Sequence, residues 1–309
     1  MARDENHVEL NRRTMPANGD YLVDDEILSK EQYYALVGGD SVVKRSAVPP
    51  SKVWPVDKIT GHPTVPFELH QSIGTETKSL IDKAIAEYEK NTCLRFVKSH
   101  KGSRVKFTRR KLTKASPEDE ICEPGDCSSH VGNQNKRYYG QMICLGRCHD
   151  RSKYGSMLHE MAHALGLYHE HQRPDRKQYI KILNPVTSWD GQKAYNDFIA
   201  NYDPVGEIET YGVQYDYLSI MQYPRYPRYP GVKPTISTID PSYRNEIGQR
   251  KELSYLDVLI LNKMYGCTSK LAGMHKLQFS VSVWLKIPIL ASSWLHYSPQ
   301  LGIKWSSDP

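Results

Sequence analysis

Apolar positions recur with a helical period over residues Thr75 to Asn91, where Leu80, Ile81, Ala84, Ile85 and Tyr88 share a face and charged residues fill the rest. That pattern predicts an amphipathic helix packed on a sheet. It runs into Thr92-Cys93-Leu94-Arg95-Phe96-Val97, a strand signature, and Lys106-Phe107-Thr108 starts another short strand. Residues 109–126 are charged and rich in Glu, Pro and Gly, as a surface loop would be. A second helix is expected to start near Ser152–Gly155 and to stop at Gly166. A third closes the core of the chain between Leu253 and Cys267: Ser254 and Asp257 have the spacing of a capping box, and Gly266 is a C-terminal stop. Residues 1–45 are polar without sustained periodicity, and 190–210 show mixed polarity with no assignable chemistry. Beyond Cys267, Leu277, Phe279, Val281, Val283, Leu285 and Ile287 alternate with other residues in a strand-like way, but the tail 268–309 is left unassigned. No run of 18 uncharged apolar residues occurs, so no membrane span is expected.

The second helix carries the chemistry. Its sequence and exit read His159-Glu160-Met161-Ala162-His163-Ala164-Leu165-Gly166-Leu167-Tyr168-His169. Residues four apart on a helix lie about 40° apart in azimuth and about 6 Å apart along the axis. His159 and His163 can therefore offer two imidazole nitrogens to one ion from the same face. Glu160 follows the first ligand directly, so its carboxylate can reach a water on that ion. At Gly166 the helix can end with a positive φ and the chain can reverse, which returns His169 as a third nitrogen ligand. Three neutral imidazoles leave one position of a tetrahedral zinc open to water, the arrangement of a catalytic site.

Composition narrows the setting. At 309 residues the chain can bury one domain of about 200 residues plus appendages. Its 41 basic residues exceed 35 acidic ones only mildly, and Arg109-Arg110-Lys111 is a solvated cluster, so nucleic acid is not an expected partner. None of the six cysteines forms a C-x-x-C pair, which argues against a second zinc site. An even count favours disulfides and an oxidising compartment. Residues 1–20 hold no apolar stretch of signal-peptide type. A secreted, extracellular protein is nonetheless the expectation, with the start of the sequence truncated or misplaced.

The extended motif resembles the metzincin group of zinc endopeptidases, and its continuation through Tyr168-His169-Glu170-His171-Gln172-Arg173-Pro174-Asp175-Arg176 narrows the resemblance to the astacin family. Trp54-Pro55, Val65-Pro66-Phe67, Thr92-Cys93-Leu94-Arg95-Phe96 and Ser219-Ile220-Met221-Gln222-Tyr223 match further family segments. So do Cys127–Gly132 and Gln141–Gly146, which resemble the two short strands before the zinc helix. The resemblance covers roughly Asp40 to Cys267. It implies an α+β fold: an N-terminal subdomain with a mixed twisted sheet and two helices, an irregular C-terminal subdomain with a terminal helix, and the cleft between them. The implied function is zinc-dependent hydrolysis of internal peptide bonds in protein or peptide substrates, with one zinc per chain and a zymogen precursor.

The same resemblance assigns roles. His159, His163 and His169 hold zinc, and Glu160 moves the proton. Met221 forms an apolar floor under the ligands, and Tyr223 hydrogen-bonds the oxyanion. Glu170 pairs with the ammonium of a new N-terminus at Ser46, after cleavage behind Lys44-Arg45. This makes 1–45 a prosegment and 46–267 the protease domain. Val37-Gly38-Gly39-Asp40 is a degenerate form of the family's inhibitory motif, with Asp40 as zymogen switch. Cys93 is expected to pair with Cys267, Cys127 with Cys148 and Cys122 with Cys144, although the last four cysteines allow three connectivities. Arg225, Arg228 and Lys233 lie in a loop that borders the S1′ pocket in the family, and no specificity is read from them. Departures are Gln222 beside the methionine turn, extra length between Cys148 and His159, and two additional cysteines. The alternative function is a catalytically silent binding protein of the same fold with a structural zinc.

Overall fold

The structure is a computed structural model that describes residues 47–48, 50–109, 122–135, 140–183, 209–226 and 234–273, with the backbone of three short strands between residues 13 and 28. Those strands are β1 (Arg13–Thr14), β2 (Tyr21–Val23) and β3 (Glu26–Leu28). Then follow β4 (Thr64–Leu69), α1 (Thr75–Asn91), β5 (Arg95–Lys98), β6 (Val105–Thr108), β7 (Ser128–His130) and β8 (Gln141–Cys144). The described chain continues with α2 (Tyr154–Ala164), β9 (Ile180–Ile182), β10 (Ile236–Thr238) and α3 (Tyr255–Met264). The tail assignment and most of 190–210 fall outside the described residues.

One mixed sheet has the order β1-β2-β3-β7-β8-β6-β4-β5 among the described residues. β4, β5, β6 and β8 run parallel, and β7 pairs antiparallel with β8. Helix α1 has the bounds its periodicity predicts, and it buries Thr77, Leu80, Ile81, Ala84 and Tyr88. Strand β5 starts at Arg95, later than expected, because Thr92 ends the helix instead. Its N–H and hydroxyl both donate to the Tyr88 carbonyl, and its hydroxyl oxygen accepts from the Leu94 N–H. The three strands before residue 30 had no side-chain period to announce them. They form through backbone pairing, with β3 adding parallel to β7 so that Glu26 faces Ser129 and Ile27 faces His130.

Helix α2 is buried on nearly every side, which its run of Met157, Leu158, Met161, Ala162 and Ala164 permits. Its C-terminal carbonyls, which no helical N–H can reach, are taken by remote side chains. The Trp54 indole donates to Ala164 O (2.9 Å) and the Tyr265 hydroxyl to Leu165 O (2.9 Å). At its start, a Cβ on Gly155 would lie 1.8 Å from the Arg250 carbonyl, so only glycine fits there.

Among the described residues after α2 most are irregular, as expected of the second subdomain. A two-stranded ribbon, β9 with β10, packs over a small cluster of Ile180, Tyr215, Ile236 and Ile247 ringed by tyrosines. Tyr179 stacks on Tyr215 and Tyr217 on Tyr243, which accounts for part of the high tyrosine content. Helix α3 begins with the expected capping box of Ser254 and Asp257.

Three disulfides join Cys93 to Cys267, Cys122 to Cys144 and Cys127 to Cys148. The first spans 174 residues and ties the end of α3 to the α1–β5 junction. Replacing Cys93 and Cys267 together by alanine is expected to cost about 2–5 kcal/mol, because a long loop regains its freedom in the unfolded chain. Urea denaturation of the double variant beside the parent checks this.

Candidate active site

His159 and His163 sit one turn apart on α2, and the chain reverses at Gly166, whose φ is +107°. A Cβ at that position would come within 2.5 Å of Val48 Cγ2. The reversal brings His169 back against the helix. All three imidazoles are buried, their ring centroids are 4.7 to 5.2 Å apart, and one nitrogen of each lies within 4.8 Å of the others. His169 Nε2 lies 3.3 Å from His159 Nε2.

The donor set fits a zinc ion. The Nδ1–H of His159 donates to Ile220 O (2.8 Å) and that of His163 to Leu167 O (2.7 Å). A carbonyl only accepts, so each bond places the proton on Nδ1 and leaves the Nε2 lone pair for a metal. Cys127, Cys148 and Glu160 also cluster within 4.8 Å, but the two cysteines are disulfide-bonded and offer no thiolate.

Around the triad the other expected residues take their places unevenly. Glu160 is buried on the same helix as the first two ligands. The Tyr223 ring stands 4.5 Å, centroid to centroid, from His169 and 3.9 Å from His171. Met221 is buried in the main apolar core, and its carbonyl accepts from the Glu170 N–H (3.1 Å). Since Ile220 holds His159, the methionine turn is tied to both ends of the ligand set. Gln222 accepts a hydrogen bond from the Tyr215 hydroxyl and has no part in ligation. Arg225 lies with its guanidinium over Tyr226. Asp40, Ser46, Arg228 and Lys233 lie outside the described residues.

Glu170 shares a pocket with Arg173, Asp216 and Asp257, of which Asp216 is half-buried and the others buried, among apolar side chains such as Leu167 and Ile260. It accepts from Arg173 Nη1 (3.0 Å) and from the Asp216 N–H (2.7 Å). Burial still pushes its carboxyl up to about 8, with Asp216 and Asp257 adding to the rise against the pull of Arg173. Arg173 is shared with Asp175 (Nη2 to Oδ2 2.8 Å), so Glu170 has only part of one guanidinium while Asp216 and Asp257 lie nearby, and the pocket holds more carboxyl groups than cations. Asp257 is pushed up to about 6, first by burial and then by Asp216, against hydrogen bonds from Ile220, Ser219 and Ser254. Sequence reading found Asp257 only as a helix cap, since its other partners lie 37 and 38 residues away. His171, part of the sequence continuation that resembles the family, carries no role by resemblance, and the structure packs its ring on Tyr223.

A buried three-histidine zinc site with a buried glutamate next in sequence to its first ligand, on a domain with a mixed sheet, defines a zinc metalloprotease domain. The profile of the Astacin peptidase family matches residues 49–266, more than half of the chain, and the chain belongs to that family. His159, His163 and His169 are its zinc ligands. It is 30% identical over 218 residues to meprin A subunit beta of Homo sapiens, covering 71% of this chain and 28% of that protein. To zinc metalloproteinase nas-23 of Caenorhabditis elegans it is 33% identical over 226 residues, covering 72% of this chain and 36% of that protein. The chain therefore spans about a third of the length of these relatives. In fold it resembles high choriolytic enzyme 1, a hatching enzyme zinc-protease from Oryzias latipes (Medaka fish), with a TM-score of 0.55 and 24% identity, covering 73% of this chain and 100% of that one.

Two outcomes follow from this geometry. Gly166→Ala is expected to weaken zinc binding, because a Cβ is strained at positive φ and meets Val48, displacing the return of His169; a chelator-competition titration reads the loss. The second concerns pH. The folded pKa of Asp257 lies above the usual 3.8, so between 3.8 and about 6 the native chain keeps a proton that the unfolded chain has released. Its contribution to stability is thus greatest below that window and falls as pH rises through it. Thermal unfolding of the zinc-free chain from pH 4 to 7 should show a shallower decline in Asp257→Asn than in the parent.

Proposed function

We propose that the chain is a secreted zinc-dependent endopeptidase, made as a zymogen, that hydrolyses internal bonds of protein or peptide substrates. The convergence of three buried imidazole nitrogens with Glu160 next to the first of them carries this reading. Zinc in that position supplies an acidified water and polarises the scissile carbonyl. Glu160 takes the proton of the attacking water and delivers it to the leaving amine nitrogen. The Tyr223 phenol donates to the carbonyl oxygen as charge develops there. Strand β7, at the edge of the domain's own sheet, offers main-chain groups to an extended substrate, which suits substrates of varied sequence. Pairing of every described cysteine accords with an oxidising, extracellular setting.

In this reading residues 1–45 are the prosegment, 46–267 the protease domain and 268–309 a tail of no assigned role. The addition of β3 along β7 supports it, since a segment lying there competes with substrate for the same backbone groups. Asp40 completes the block as a carboxylate directed to the zinc. After cleavage between Arg45 and Ser46 the new ammonium joins Glu170. The charge imbalance of the Glu170 pocket supports this step, and so does the burial of Ala47 and Val48, with the Val48 N–H on Gly166 O (2.8 Å).

The processed chain is expected to cleave a denatured protein, to stop when a chelator is added and to resume with zinc. Glu160→Gln should lower kcat roughly 10²- to 10⁴-fold, and Tyr223→Phe about 10²-fold with a smaller change in KM. A Glu160→Gln rate equal to the parent's would overturn the reading and leave a silent binding protein with structural zinc. The uncut chain should be inactive, which activity before and after cleavage at Arg45 tests.

A further inference from the structure

His163 and His159 are steered in different ways. The acceptor for His163 Nδ1–H is Leu167 O, four residues on in the same segment, so the local turn fixes that ring. The acceptor for His159 Nδ1–H is Ile220 O, 61 residues away in the methionine turn. The orientation of His159 is therefore only as good as the orientation of the Ile220 peptide.

One carboxylate grips that peptide. Asp257 Oδ2 accepts from the Ile220 N–H (2.8 Å), and Asp257 Oδ1 accepts from the Ser219 hydroxyl (2.6 Å). The Ser219 oxygen in turn accepts from the Met221 N–H (2.9 Å), so three successive residues of the turn are fixed from one buried side chain. The helix cap does not require this. Capping α3 uses only the Ser254 N–H on Oδ2 (2.9 Å) and the Asp257 N–H on Ser254 Oγ (2.8 Å). The bonds to Ser219 and Ile220 are additional, and they hold a charge in a place where burial opposes it.

We infer that Asp257 is a positioning residue of the metal centre: through the Ile220 peptide it aims the Nε2 of His159 at the zinc. Helix α3, anchored to Cys93 by Cys267 and to Asn91 O by the Asn262 side chain, is the rigid support for this contact. This rests on the zinc reading of the triad and not on peptide cleavage. It adds a support for one ligand that lies 98 positions away in the chain.

Asp257→Asn keeps the shape, but a neutral amide cannot accept at both positions: with its oxygen toward Ser254 and Ile220 it turns an NH2 onto the Ser219 hydroxyl, and what remains on Ile220 is a weaker, uncharged acceptor. Zinc affinity, read by competition with a chromogenic chelator and without substrate, is expected to fall roughly 10- to 100-fold, the usual effect of losing an outer partner of a metal ligand. Ser254→Ala, which damages the same cap but leaves the Ile220 contact, should lower the unfolding midpoint and keep parental zinc affinity. In the zinc-loaded protein with nitrogen-15 histidine, the Nδ1–H signal of His159 should shift in Asp257→Asn while that of His163 stays. Should Asp257→Asn fail to fold, Ser219→Ala serves for the same histidine signals, with the same selective shift expected. Unchanged zinc affinity in Asp257→Asn, an equal loss in Ser254→Ala, or equal movement of both histidine signals would each overturn the inference. The proposed peptidase activity would stand untouched by any of them.

Discussion

Three imidazoles buried side by side are tolerable only if every ring nitrogen has something to do. An unpaired buried donor or acceptor costs on the order of 1–3 kcal/mol. Three lone pairs aimed at one point also need a cation between them. Much of the molecule answers these two demands. The reversal at Gly166 returns the third ring, the Leu167 carbonyl fixes the second and the Ile220 carbonyl fixes the first. The sheet and α1 form the wall against which α2 lies, and the irregular half supplies the turn that reaches back to it.

The parts that were legible in the sequence share a physical trait: their determinants are local. The bounds of α1 followed from an apolar stripe, the cap of α3 from Ser254 and Asp257, and the ligand set from spacing along one helix and one turn. The remainder depends on groups far apart in the chain. Nothing near Trp54 or Tyr265 says that each will close the end of the same helix, and nothing near Asp257 reveals its hold on Ile220. The late start of β5 is an intermediate case. Thr92 had both strand propensity and a hydroxyl able to stop a helix, and the hydroxyl prevailed. The short strands before residue 30 were invisible for another reason, since two or three residues are too few for an alternation to be read.

Charge in the Glu170 pocket and geometry at the triad are linked through shared residues. Asp216 donates its N–H to Glu170 and accepts the Ser254 hydroxyl at the start of α3. Asp257, one turn further, holds the methionine turn. A change in the charge balance of the pocket is therefore felt within two hydrogen bonds of a zinc ligand. Such a link gives the burial of Glu170 and Asp257 a structural purpose that stability alone does not provide.

The two aromatic residues at the end of α2 have a consequence for the order of assembly. Trp54 stands 110 positions before the carbonyl it satisfies, and Tyr265 stands 100 positions after its own. Contacts of such separation close large loops, and closing them is slow compared with forming a helix. The turn that delivers the third ligand follows directly on those carbonyls, so its shape depends on the docking of both Trp54 and Tyr265. Metal capture is thus tied to the docking of α3, without which the end of α2 lacks the Tyr265 hydroxyl and Ile220 lacks Asp257.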